Sequence, residues 1–132
     1  LVPLVKELGH SVTDMGCTSA TSCDYPDFAA PASLKVACGD ADMAILLDHS
    51  GIGMSIVANK IRGVRAALVL DEVTAKLARE ANHCNVLCIA TELLSDALIT
   101  KIVKSFVTSE PTGGRHERRL KKITEIESMN MK

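Results

Sequence analysis

The chain has no tryptophan, one tyrosine and two phenylalanines, so aromatic residues fill 2% of its 132 positions. A core without rings must be built from Val, Ile, Leu, Ala and Met, and that mix suits a parallel sheet buried between helices. Net charge is missing too: 15 Lys and Arg against 16 Asp and Glu leave −1. Such a balance gives no electrostatic footprint for nucleic acid. No apolar run approaches the roughly 20 residues needed to cross a bilayer, so no membrane partner is expected. The opening residues 1–6 do not read as a signal peptide. Five cysteines are an odd number, and free thiols in a reducing cytosol account for them most simply. What remains is 47% hydrophobic and of a length that supports one domain, residues 1–132.

The organising stretch is 43–60. Its apolar run 43–47 reads as a buried strand, followed by the turn Asp48-His49-Ser50-Gly51-Ile52-Gly53. Met54, Val57, Ala58 and Ile61 then fall at helical spacing. Strand, glycine turn and helix together aim backbone N–H groups at the strand's end, a geometry suited to an anion or a developing oxyanion. The same glycines also serve as a plain tight connection in an α/β protein.

Elsewhere strands and helices alternate. Residues 1–10 read as the end of a helix with Gly9 closing it, 11–15 as a short strand, and 16–26 as a polar loop containing Cys17, Cys23 and Tyr25. A helix is expected over 27–38, facing inward through Phe28, Pro31, Leu34 and Ala37, with Pro31 in its first turn. Strands come next at 63–70 and 85–90. Asp71 and Ser95 are N-caps, the first for a helix with Val73, Leu77 and Ala81 on one face, the second for a stripe of Leu98, Ile99, Ile102, Val103 and Phe106. A last helix starts near Arg115 with Leu120, Ile123 and Ile126 inward. This alternation predicts a Rossmann-like α/β fold, a doubly wound parallel sheet in a three-layer sandwich, with ligands at the carboxyl ends of the strands.

Several blocks then resemble one family: 24–29 (DYPDFA), 51–60 (GIGMSIVANK), 63–67 (GVRAA), 77–80 (LARE), Asn82 with 85–87 (NVL), and 113–116 (GGRH). In order and over essentially the whole chain they resemble the type B ribose-5-phosphate isomerases, which include the two subunits of galactose-6-phosphate isomerase. The resemblance implies aldose–ketose isomerisation of a sugar phosphate through an enediolate, without metal or organic cofactor. It implies a homodimer, or a dimer of dimers, with the active site between subunits. In the family pattern the turn opens with a cysteine that acts as the base, a histidine directly before the residue matched by Asn82 opens the sugar ring, and arginines of the GGRH helix bind phosphate.

Here the pattern changes at its chemical positions. Asp48 stands for the cysteine, His49 for glycine and Ser50 for threonine, while Ala81 stands for the ring-opening histidine. The candidate catalytic residues are therefore Asp48 and Ser50. Asp48 can act as a general base or only as a strand-end turn residue. His49 can crowd the sugar or add an acid–base group. Tyr25, His49, Gly51, Ile52, Gly53 and Asn82 are candidate substrate contacts, and His83 reads as a surface residue. Arg115 and Arg119, four apart on one helix face, fit a phosphate clamp or a solvated basic face. Cys84 and Cys88 read as buried thiols, without the second ligand pair a metal needs. Asp48 and Ala81 together leave an alternative, an impaired homologue that binds sugar phosphate or serves as a non-catalytic subunit. Leu1 aligns with the helix after the family's first strand. An apolar strand supplied from outside these residues is therefore expected between the strands starting near Ser11 and Met43.

Overall fold

The computed structural model of the protein describes residues 1–16 and 24–131, so Cys17 and Cys23 of the expected loop lie outside the described residues. The elements are α1 (Val2–Glu7), α2 (Pro26–Ala37), β1 (Ala44–Asp48), α3 (Ile52–Asn59), β2 (Ala66–Leu68), α4 (Glu72–Glu80), β3 (Val86–Ala90), α5 (Asp96–Thr108) and α6 (Arg115–Asn130).

The strands form a parallel sheet in the order β1-β3-β2, with Leu46 opposite Cys88 and Leu68 opposite Cys88 on the other side. All five residues of β3 are buried. Because side chains alternate along a strand, β3 feeds two cores. Leu87 and Ile89 pack with Ala75, Ile102 and Phe106 of α4 and α5. Val86 and Cys88 pack with Ala29, Met54 and Ala58 of α2 and α3. The fold is thus the expected Rossmann-like sandwich, helices on both faces of a parallel sheet. Both expected caps form: Asp71 Oδ1 accepts from Thr74 N at 2.7 Å, and Ser95 Oγ accepts from Leu98 N at 3.2 Å. The bonds from Thr74 hold the Asp71 carboxyl below the usual carboxylate range.

Much of the recognisable sequence is spent on locks at the amino edge of the sheet. Asn59 behaves like an added ladder residue, donating to Ala66 O at 3.0 Å and accepting from Ala66 N at 2.9 Å. Asn85 Oδ1 accepts from Arg65 N at 2.8 Å, and its amide donates to Gly63 O at 3.0 Å. Arg65 Nε donates to Asn82 O and His83 O, and Arg79 donates to Cys84 O at 2.7 Å.

Five expectations are corrected. Residues 11–15 are irregular and form no strand. Helix α2 starts at Pro26, so Pro31 lies inside it, and without an N–H it cannot bond the Asp27 carbonyl. The buried face of α2 is Ala29, Ser33 and Val36, while Leu34 is exposed. Val73 and Leu77 point outward, because α4 approaches the core through the small residues Ala75 and Ala78. Of the expected α6 stripe, Leu120 is buried, and Ile123 and Ile126 are exposed.

One edge of β1 carries no partner strand among the described residues. Ala44 N bonds toward β3 through Asn85 O. The backbone groups of Ile45 and Leu47, alternate residues, therefore face the free edge. That edge opens into a groove of about 690 Å³ lined also by Val2, Val5, residues 10–16, Phe28 and Ala32. The segment 11–15 and β1 are not paired to each other.

Replacing Asn59 with Ala removes both bonds to Ala66 and should lower unfolding free energy by about 1–3 kcal/mol. Urea denaturation measures this. An unchanged midpoint with lost ligand binding would make Asn59 a ligand residue instead.

Candidate functional site

Strand β1 ends at Asp48 and α3 begins four residues later at Ile52. The chain can turn that tightly because Gly51 adopts φ +76° and is buried. A Cβ at Gly51 would lie 2.5 Å from Leu68 Cδ1 and 3.3 Å from the carbonyl carbon of Ile89. Only glycine fits both the backbone and the space. Tyr25, expected near the ligand, lies over the first turn of α3, where a Cβ on Gly53 would meet its ring at 2.5 Å.

The first N–H groups of a helix have no intrahelical partners and carry its positive end. In α3, Ser50 Oγ accepts from Ile52 N at 3.2 Å, and the first intrahelical bond runs from Ser55 N to Gly51 O at 3.1 Å. The hydroxyl of Ser50 is thus engaged within the turn before α3, and the N–H of Ile52 is engaged with it. Among the described residues no acceptor is found for the N–H groups of Gly53 and Met54.

The turn is stapled to the end of β3. Thr91 donates to Asp48 O from its N–H at 2.8 Å and from Oγ1 at 3.1 Å, and Glu92 N donates to His49 O at 3.2 Å. His49 Nδ1 lies 3.7 Å from Glu92 Oε1, and both side chains are mostly exposed. A pair so exposed contributes little stability, but it draws His49 toward the β3 loop. Asp48 is half-buried, and its Oδ1 accepts from His49 N at 2.9 Å. Thr91 and Glu92 are absent from the residues expected from sequence, although they carry a signal: they directly follow an expected strand, where α/β proteins place ligands.

A cysteine does sit near Asp48. Burial first, then the Asp48 charge and Cys84, push the Cys88 thiol up to about 12. Burial likewise raises Cys84. Both are free buried thiols, as expected. Cys88 stays a neutral thiol near neutral pH and offers the turn no thiolate.

The remaining candidates lie elsewhere. Asn82 follows α4 with an exposed side chain, and its backbone oxygen accepts from Arg65 at 3.1 Å. Thr112 binds Glu80 O through its N–H at 3.0 Å and its Oγ1 at 2.8 Å, which starts α6 beside the end of α4. Arg115 and Arg119 open α6, exposed and without an ion pair among the described residues. The end of α4 and the start of β3 share the amino edge of the sheet, whereas Asp48 pairs with Ala90 at the carboxyl edge. The five residues of β3 put about 16 Å between these edges. One chain therefore places the candidates in two groups: Tyr25 with Asp48 to Gly53 at one edge, and Asn82 with Arg115 and Arg119 at the other. His83 is not a plain surface residue. It is half-buried, has φ +47°, and places Nε2 2.6 Å from Thr112 O.

A family model described as ribose/galactose isomerase matches residues 1–123. The chain is 37% identical to ribose-5-phosphate isomerase B of Escherichia coli over 127 residues, 96% of this chain and 85% of that protein. The structure of type B ribose 5-phosphate isomerase from Leishmania infantum superposes with a TM-score of 0.94 at 45% identity, covering 98% of this chain and 86% of the other. Ribose-5-phosphate isomerase B of Mycoplasma genitalium, solved with bound ribulose-5-phosphate, gives a TM-score of 0.91 at 40% identity, covering 96% and 85%.

Proposed function

The chain belongs to the ribose/galactose isomerase family, and on that premise we propose that it interconverts ribose 5-phosphate and ribulose 5-phosphate with Asp48 as the base. The observation that carries this is the half-buried Asp48 carboxyl group beside the first turn of α3, over which Tyr25 lies. In the proposed step a carboxylate oxygen of Asp48 takes the proton from C2 of the open-chain aldose. The C2–H electron pair forms the C1–C2 double bond, and O1 takes the charge of the enediolate. The O2 hydroxyl proton then passes to O1, and the proton held by Asp48 goes to C1 as C2=O forms, giving the ketose. The N–H groups of Gly53 and Met54 stabilise the oxyanion as it forms, which requires donors already in place. Tyr25 covers the sugar, and His49 stands at the mouth with Glu92. The chemistry moves protons only and calls for no metal or organic cofactor.

The phosphate is assigned to Arg115 and Arg119, whose guanidinium forks match phosphate oxygens, and Asn82 to the sugar hydroxyls. Since these sit at the opposite edge of the sheet from Asp48, the reading requires two copies of the chain, each completing the other's site. A two-fold dimer does this twice over, because an isologous interface brings each half-site to its complement. The exposed apolar residues Ile52 and Ile56 of α3 and Val73 and Leu77 of α4 offer surface for such an interface. Pairing of dimers into tetramers fits the same reading. The free thiols of Cys38, Cys84 and Cys88 support a cytosolic setting.

The groove beside β1 supports a further part of this reading: an extended apolar segment from outside the 132 residues pairs with the backbone of Ile45 and Leu47. Hydrogen exchange tests it. The amides of Ile45 and Leu47 should exchange faster than that of Leu46 in this chain, and should become protected when an apolar strand is supplied. Equal protection of all three in the chain alone would oppose it.

Asp48→Asn keeps the shape and removes the basicity. In a coupled isomerase assay with ribose 5-phosphate, turnover should fall at least about 10²-fold, the scale of a lost general base. Unchanged turnover would remove Asp48 from the mechanism. Binding without turnover by the unaltered chain would favour a non-catalytic, sugar-phosphate-binding subunit.

A further inference from the structure

His83 closes the turn between α4 and β3 with a left-handed backbone, φ +47°. Non-glycine residues are uncommon in that region, so a conformation of this kind invites a reason. From it, the imidazole reaches the loop that precedes α6, where Nε2 lies 2.6 Å from Thr112 O. A carbonyl oxygen brings no proton, so Nε2 carries it and donates. Thr112 is also gripped from its other side, since its N–H and Oγ1 both donate to Glu80 O. Arg79, stacked over the Phe106 ring, adds a bond from Nε to Ser109 O at 3.5 Å.

Directly after this latch come two glycines. Gly114 has φ +74° and ψ −129°, with nothing within 4 Å of where a Cβ would sit. The backbone there has no stiffness of its own. Helix α6 is held further along by buried Leu120, and at its far end by Gly63 N to Glu127 Oε2 at 3.0 Å and Arg62 to Met131 O at 3.3 Å. Arg115 and Arg119 lie between the latch and Leu120. Without the latch, the turn that carries Arg115 hangs from a two-glycine hinge.

We propose that His83 is a positioning residue: by locking Thr112 it fixes Arg115 and Arg119 in one frame with Asn82, its neighbour in the chain. This rests on the reading of the two arginines as the phosphate clamp. Held in one frame, the clamp and Asn82 can reach a sugar phosphate as one preformed surface, and the ordering cost falls on folding instead of on binding.

The test is a split between KM and kcat. His83→Ala removes the donor, and His83→Gln keeps an N–H at similar reach. His83→Ala should raise KM for ribose 5-phosphate about three- to tenfold, the factor of one neutral hydrogen bond, with kcat nearly unchanged. His83→Gln should restore KM, and inhibition by unphosphorylated ribose should not move. Where turnover is slow, calorimetric Kd for ribose 5-phosphate replaces KM. Thr112→Val loosens the same loop while leaving His83 in place, and should reproduce the loss. Arg115→Ala is run alongside. A rise in KM for Arg115→Ala but none for His83→Ala and Thr112→Val overturns the inference alone. No change for Arg115→Ala overturns the phosphate reading and the inference with it. Equal losses in kcat and in binding of the unphosphorylated sugar would show that His83 merely supports the fold.

Discussion

The close approach of Gly51 to the buried central strand is the constraint on which the site depends. The turn packs so tightly on Leu68 and the backbone of Ile89 and Ala90 that any side chain at Gly51 would collide. That packing places the start of α3 directly over the end of β3, and the bonds from Thr91 and Glu92 to Asp48 and His49 tie the two together. The position of Asp48 against the first turn of α3 is therefore set by backbone and core. The side chains at 48–50 add bonds within the turn, from His49 N to Asp48 Oδ1 and from Ile52 N to Ser50 Oγ.

The second constraint is the depth of the sheet. A parallel strand of five residues holds the loops at its two ends apart, and no loop in the described chain carries Arg115 or Arg119 around to Asp48. The ends of α4 and α6 are instead anchored at the amino edge by Arg65, Asn85, Thr112 and Glu127. The proposed two-fold assembly would bring the candidates at one edge of one chain to those at the opposite edge of another.

The alternation of elements is legible in the sequence because both N-caps, the α5 stripe and the glycine turn are local signals, each settled by a few neighbouring residues. The family is legible as well, although blocks such as Ala58-Asn59-Lys60 and the Asn85 region turn out to carry sheet locks more than chemistry. The outward faces of α4 and α6 are not legible, since apolar spacing alone does not say whether a stripe meets the chain's own core or is left exposed. Small Ala75 and Ala78 cannot outweigh Val73 and Leu77 in a periodicity argument, yet they decide how closely α4 packs. Residues 11–15 alternate like a strand but find no ladder partner, and pairing is a property of two segments. The role of His83 is hidden for the same reason: its partner, Thr112, is 29 residues away.

The central claim is that Asp48 of one chain works with Arg115 of another. Mixing two impaired variants, assayed at a substrate concentration where each alone turns over little, tests it directly. Asp48→Asn and Arg115→Ala proteins are each prepared alone, then unfolded and refolded together in equal amounts. In a two-fold dimer with shared sites, each hybrid holds one site with both residues intact, so about a quarter of the unaltered activity should return. If both residues served a site within one chain, no hybrid would contain an intact site. Activity that stays at the level of the separate variants, with hybrid dimers shown to be present, would contradict the account.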